Sequence, residues 1–215
     1  MNKNIYIFSG LGADERVFVN IDLNEHHPTF IKWIDPLPDE TIVAYASRLI
    51  PQINKSKPIL IGLSFGGMMA VEVSKQIETQ KVIIISSAKT FKEIPFYYRI
   101  PGMFNIHRWM PVRKLKKFNF ITTWFFGTQS KAENKLLLQI TKDTDPNYVK
   151  WAVDKIVKWQ NKQIPANLFH IHGTKDRLLP LRKSQYDKAI EGGGHLMIMN
   201  KAAQITEILQ QQIAK

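Results

Sequence analysis

The chain has 215 residues, 44% of them hydrophobic and 11% aromatic, with a formal net charge of +12 and no cysteine. That length supports one substantial core rather than two independent domains, and the apolar content excludes a disordered chain. The absence of thiols excludes disulfides, thiolate nucleophiles and cysteine-bound zinc, and a reducing cytoplasm is the expected setting.

The first segment, MNKNIYIFSGLGADERVF, has an apolar run of only Ile5 to Phe8. This is too short for a signal peptide and reads as a strand over residues 4–8. No stretch reaches the ~20 apolar residues that span a bilayer, so no membrane span is expected. Further strands are predicted at residues 30–34, 58–62, 81–86, 167–172 and 188–191. Helical spacing recurs in DETIVAYASRLIPQI, through Ile42, Tyr45, Ala46, Leu49, Ile50 and Ile53. A second helix follows the third strand and begins at Phe65. The C-terminal KAAQITEILQQQIA carries Ile205, Ile208, Leu209 and Ile213 on one stripe. Short β-rich runs alternating with helices predict a mostly parallel sheet of about six strands covered by helices.

The alternation breaks at residues 89–165, where no strong strand appears and large aromatics accumulate, among them Phe91, Phe96, Tyr97, Tyr98, Trp109, Trp124, Trp151 and Trp159. Pro95, Pro101, Pro111 and Pro146 divide the segment into short helices. An insertion this long is not a simple loop. The expectation is a helical cap at 89–165 inserted in a core made of residues 1–88 and 166–215. Inside it, RWMPVRKLKKF (residues 108–118) is the one dense basic cluster; the remaining charge is dispersed among 23 lysines and 7 arginines. No zinc-finger spacing and no RRM-type aromatic motif accompanies it, so a solvated lysine-rich surface is expected and no nucleic-acid partner.

Gly62-Leu63-Ser64-Phe65-Gly66 is a G-x-S-x-G pentapeptide with a strand before it and a helix after it. A sharp bend there strains the serine backbone, and the residues two positions away have to be small. Ser64 is therefore the candidate nucleophile, held where the N-terminus of a helix favours a developing oxyanion. A serine hydroxyl needs a base and an orienting acid. Of six histidines, His195 lies in EGGGHLMIMN, after a strand and before an apolar helix, in a glycine-rich loop able to approach another backbone; it is the candidate base. His170 and His172 lie on a strand and read as structural. Asp176, in HGTKDRLLP, follows the preceding strand and falls in the order Ser, Asp, His; it is the candidate acid, with Glu93 the other carboxylate in view. The N–H groups of Phe65 and of Leu11, in FSGLGADERVF, are the candidate oxyanion donors. A dinucleotide-binding fingerprint fails because Glu15 stands where the third glycine belongs.

The pieces SGLGADERVF, GLSFGG, HGTKDRLLP and GGGHLM, in this order and over nearly the whole chain, resemble the α/β-hydrolase superfamily. The resemblance implies a three-layer α/β-hydrolase fold and a serine hydrolase with a helical cap after the fourth parallel strand. It also implies a sheet cut down by the lack of the family's leading hairpin. Ser9 stands where that family often has a histidine before the oxyanion glycine. The expected activity is cleavage of a small to medium, largely apolar carboxylic ester through an acyl-enzyme, without cofactor or metal. Thioester or amide hydrolysis, acyl transfer or C–C cleavage would use the same triad. A basic binding module with a vestigial triad is the reading from a different class.

Overall fold

In the computed structural model, which describes residues 3–104, 125–182 and 185–215, the predicted runs pair into one sheet. Its strands are β1 (Ile5–Phe8), β2 (Thr29–Phe30), β3 (Ile59–Leu63), β4 (Lys81–Ile85), β5 (Leu168–Gly173) and β6 (Lys188–Ile190). They lie in the order β2-β1-β3-β4-β5-β6, and every pairing is parallel. A sheet of this kind is buried on both faces, which explains the nearly continuous apolar character of β1, β3 and β4.

Alternate side chains of each strand enter two separate cores. On one face Ile5, Ile7, Ile59, Ile61, Ile83 and Ile85 pack against Ile205, Ile208, Leu209 and Ile213 of the C-terminal helix. On the other, Tyr6, Phe8, Leu60, Val82 and Ile84 pack against α1 (Ile42–Leu49) and α2 (Phe65–Ser74). Helix α2 is buried along nearly its whole length, so it has no polar face to present. Thr41 caps α1 by accepting the Ala44 N–H on its side-chain oxygen.

The chain then runs through α3 (Phe96–Met103), α4 (Lys131–Asp143), α5 (Pro146–Val157), α6 (Met197–Asn200) and α7 (Ala202–Ile213). Ser130 and Asp145 cap α4 and α5, and Pro146 occupies the first turn of α5, where its missing N–H is harmless. Pro101 does not break the segment as predicted: α3 continues through it to Met103. Its missing N–H forgoes one helical bond, to the carbonyl four residues earlier, and the helix ends two residues later. The basic run at residues 108–118, with Trp109, Pro111 and Trp124, lies outside the described residues.

β2 is also shorter than predicted, two residues instead of five. Ile31 N–H still reaches the Ile7 carbonyl at 2.8 Å. Beyond it side chains replace the ladder: the Tyr45 hydroxyl donates to the Ile34 carbonyl at 2.7 Å and accepts the Ile34 N–H at 3.1 Å.

The strand order reverses between β1 and β3, because the chain moves outward from β1 to β2 and then returns past it. Open parallel sheets form a crevice at such a point, beyond the carboxyl ends of the strands. The loop after β1 and the bend after β3 both open there.

Candidate active site

Ser64 is the single residue between β3 and α2. Its backbone has φ 51° and ψ −119°, a region that residues with a Cβ rarely adopt. Such a conformation costs about 1–3 kcal/mol and persists only where the surroundings over-determine it. Here they do. Ser64 N–H donates to the Ile85 carbonyl at 2.9 Å, and the Ser64 carbonyl accepts from Ser87 Oγ at 2.6 Å and Gly67 N–H at 2.9 Å. A Cβ on Gly62 would collide with the Gly66 carbonyl, and one on Gly66 with the carbonyl oxygens of Phe8 and Ser9. The glycines let α2 pass directly against β1 and β3.

The three residues nominated for the chemistry come together. His195 Nε2 lies 2.8 Å from Ser64 Oγ, and His195 Nδ1 lies 2.8 Å from Asp176 Oδ2. His195 and Asp176 are 1% and 5% exposed, so the contact between them is shielded from bulk water, while Ser64 is half-buried. Asp176 Oδ1 accepts the N–H groups of Leu178 at 2.9 Å and Leu179 at 2.8 Å. Burial pushes the Asp176 carboxyl up, but the charge and hydrogen bond of His195, with His172 and the Leu179 N–H, outweigh it and hold the group below the ordinary aspartate value. Asp176 is thus an anion turned toward His195 Nδ1. Glu93 is engaged elsewhere: it accepts the Lys89 N–H at 2.6 Å and pairs with the Lys89 ammonium at 3.7 Å.

Leu11 stands at the corner of a turn closed by Ala13 N–H donating to the Gly10 carbonyl at 3.1 Å. Gly12, the third residue of that turn, has φ 63°, the positive value that a type II turn requires. In such a turn the N–H of the second residue, Leu11, takes no part in the closing bond. A Cβ on Gly10 would sit 3.5 Å from the Ser64 Cβ, so the turn lies against the serine. Phe65 opens α2, and the N–H groups of a first turn have no partner inside the helix. Ser9 braces the loop from behind by accepting the Trp33 indole N–H at 2.9 Å.

Two participants were missed from sequence. Trp33 was read as a strand residue, and nothing local signals its indole bond to Ser9. His172, read as structural, brings Nε2 to 3.5 Å from Asp176 Oδ2; its position four residues before Asp176, just ahead of the turn, is the one available hint. A recess of about 250 Å³ lies against the Gly10 turn, with Gly12, Trp33, Ile34, Ile140 and Tyr148 in its walls. A second cavity of about 620 Å³ lies beside Asp176, bordered by Tyr97, Tyr98, Lys175 and Arg177. Among the described residues no group of three or more histidines and carboxylates has the arrangement of a metal site.

No protein-family model matches the sequence, and no curated protein matches it significantly. Solved structures do match. A malate-bound thermophilic esterase from Thermogutta terrifontis aligns with a TM-score of 0.72 at 15% identity, over 100% of this chain and 90% of that one. The enol-lactonase from Burkholderia xenovorans LB400 aligns at 0.72 and 15%, over 100% and 92%. MenH from S. aureus aligns at 0.71 and 14%, over 100% and 94%. The six-stranded parallel sheet, the helices on both of its faces and the likeness along the whole chain are those of the α/β-hydrolase fold.

Proposed function

We propose that the chain is a cofactor-free serine hydrolase that cleaves a small to medium, largely apolar carboxylic ester through an acyl-enzyme. The observation that carries this reading is the unbroken Ser64–His195–Asp176 hydrogen-bond chain, with contacts of 2.8 Å and 2.8 Å, ending on a serine held at positive φ. Strain of that kind gives the fold nothing; a half-buried Oγ presented at the end of β3 gives it a use.

Ser64 Oγ attacks the ester carbonyl as His195 Nε2 takes its proton. Asp176 keeps the His195 hydrogen on Nδ1 and stabilises the imidazolium. The N–H groups of Phe65 and Leu11 receive the oxyanion, aided by the positive end of α2. His195 returns the proton to the leaving alcohol, then activates water to release the acid. In the cap proposed at residues 89–165, the described helix α5 sets Tyr148 and Trp151 against the aromatic group around Phe65: Trp151 and Phe65 lie 6.3 Å apart, Trp33 and Tyr148 5.8 Å.

The recess beside the Gly10 turn supports a modest, uncharged substrate. Its walls join aromatic and aliphatic groups to Asp35, Asp145 and the Asp14 and Asp143 carboxylates that share the Arg16 guanidinium. The test is a panel of p-nitrophenyl esters of increasing acyl length and a set of acyl-CoAs, run beside a fluorophosphonate probe. Turnover of the short and medium esters, lost in Ser64→Ala, with the adduct on Ser64, is the expected result. Preference for the acyl-CoAs would make the chain a thioesterase, and an adduct on another serine would remove Ser64 from its role.

A further inference from the structure

Behind Asp176 stand two imidazoles that the proposed reaction does not use. His172 Nε2 lies 2.8 Å from the Leu179 carbonyl oxygen and 3.5 Å from Asp176 Oδ2. His172 Nδ1 lies 3.2 Å from His170 Nε2, and His170 Nδ1 lies 3.1 Å from the Gln185 carbonyl oxygen. Both residues are 0% exposed. The four ring nitrogens therefore form one line of contacts running between the Leu179 and Gln185 carbonyl oxygens, neither of which can donate, with the Ser87 backbone also facing His170. Each end nitrogen needs a hydrogen to make its contact, and the middle contact needs one between the rings. The complete line holds three hydrogens, whereas two neutral imidazoles carry two. One contact is empty unless the pair takes up a proton.

The empty contact in the neutral pair falls at Gln185. That carbonyl already accepts from the Lys89 ammonium at 2.6 Å, while the His172 Nε2–H is held by the Leu179 carbonyl beside the Asp176 carboxylate. We propose that His170 and His172 are a positioning pair that gains one shared proton on acidification, making His172 a second cation on Asp176 in competition with His195. The added proton comes to rest on His170 Nδ1, which then donates to Gln185. The hydrogen on His170 Nε2 passes to His172 Nδ1, leaving His170 neutral and His172 positive.

The groups around the pair agree with that placement. Asp176 draws the charge toward His172, while Lys89, itself paired with Glu93, opposes charge on both rings. The Asp187 carboxylate accepts the His170 backbone N–H at 2.7 Å, and the Tyr186 ring stacks on His172 at 5.8 Å. His195 faces the pair from across Asp176. Burial holds both rings below the ordinary histidine value, His170 well below it, so the pair is neutral near neutral pH and charges only in acid. Once His172 is positive, Asp176 is divided between two cations and stabilises the His195 imidazolium less. The effect on rate rests on the hydrolase reading; the shared proton does not.

The experiment is imidazole nitrogen spectroscopy on the full chain labelled with ¹⁵N-histidine, from about pH 8 to about pH 5, assigned with His170→Gln and His172→Gln. Three changes are expected with one midpoint, below the ordinary histidine value of about 6.5. His172 becomes protonated on both nitrogens, His170 exchanges tautomer, and the downfield His195 Nδ1 proton moves upfield. In turnover, kcat/KM should fall more steeply on the acid side in the wild type than in His172→Gln. Rings that stay neutral, rings that titrate separately, or a His195 proton indifferent to the pair overturn the proposal, as does an acid limb that is the same in His172→Gln as in the wild type. If a variant fails to fold, the wild-type spectra alone decide. If the spectra change as expected but no ester is turned over, the hydrolase reading fails and the shared proton stands.

Discussion

Replacing Asp176 by Asn tests the role assigned to the acid with almost no change of shape. Asp176 Oδ1 accepts two backbone N–H groups, from Leu178 and Leu179, at 2.9 and 2.8 Å, while Oδ2 faces His195 Nδ1 at 2.8 Å. An asparagine has one acceptor and one donor to divide between those tasks. Keeping its oxygen on the two N–H groups is favoured, because turning the amide over would set a donor against two donors in a buried site. The NH₂ then points at His195 Nδ1, which must give up its hydrogen, and the hydrogen moves to Nε2. In that tautomer the ring cannot accept the Ser64 proton. A triad forced into the wrong tautomer loses about 10⁴ in kcat, equivalent to about 5.5 kcal/mol of transition-state stabilisation at about 1.4 kcal/mol per tenfold. KM should change little, since Asp176 is buried and takes no part in binding. The assay is steady-state hydrolysis of p-nitrophenyl butyrate, with circular dichroism to confirm the fold. Activity retained within threefold would refute the reasoning and leave Asp176 a turn residue.

Ser64→Gly should be more stable than Ser64→Ala by about 1 kcal/mol, because glycine is at ease at φ 51° and alanine is not; thermal unfolding in which the alanine variant is the more stable would contradict the strained bend. Gly66→Ala should be destabilised by more than about 3 kcal/mol, since its Cβ would enter the space of the Phe8 and Ser9 carbonyls and those belong to the buried strand β1 and its loop; soluble expression with an unchanged melting temperature would refute it. Stability should also decline on acidification in two stages. The unfolded state binds protons that buried His170 and His172 resist, so stability is lost as pH falls below about 6.5. Asp176, whose folded value is depressed, contributes stability above about 3.8 that disappears as pH drops through its folded value. Urea titrations across that range would show it, and a stability that is level from pH 7 to pH 5 would count against the neutral buried pair.

What the sequence determined by itself was local. Strand runs, the G-x-S-x-G bend and the glycines before His195 are each written within about ten residues, because side-chain period and turn geometry are short-range constraints. The order of those pieces added the sheet class, and with it the pairing of Ser64 with a histidine 131 residues away. Tertiary structure decided the rest. Beyond β2 side chains take over the backbone: Gln52 takes both polar groups of Lys32, and the Tyr45 hydroxyl, arriving from α1, both of Ile34. Ser9 is braced by Trp33, which arrives from the segment after β2. His172 shares its face of β5 with His170, as an i, i+2 spacing dictates, yet only the path of the following turn brings Asp176 to within 3.5 Å of it. A strand pattern says which way a side chain points; what it meets there depends on where other elements pack, and those distances are set by the fold as a whole.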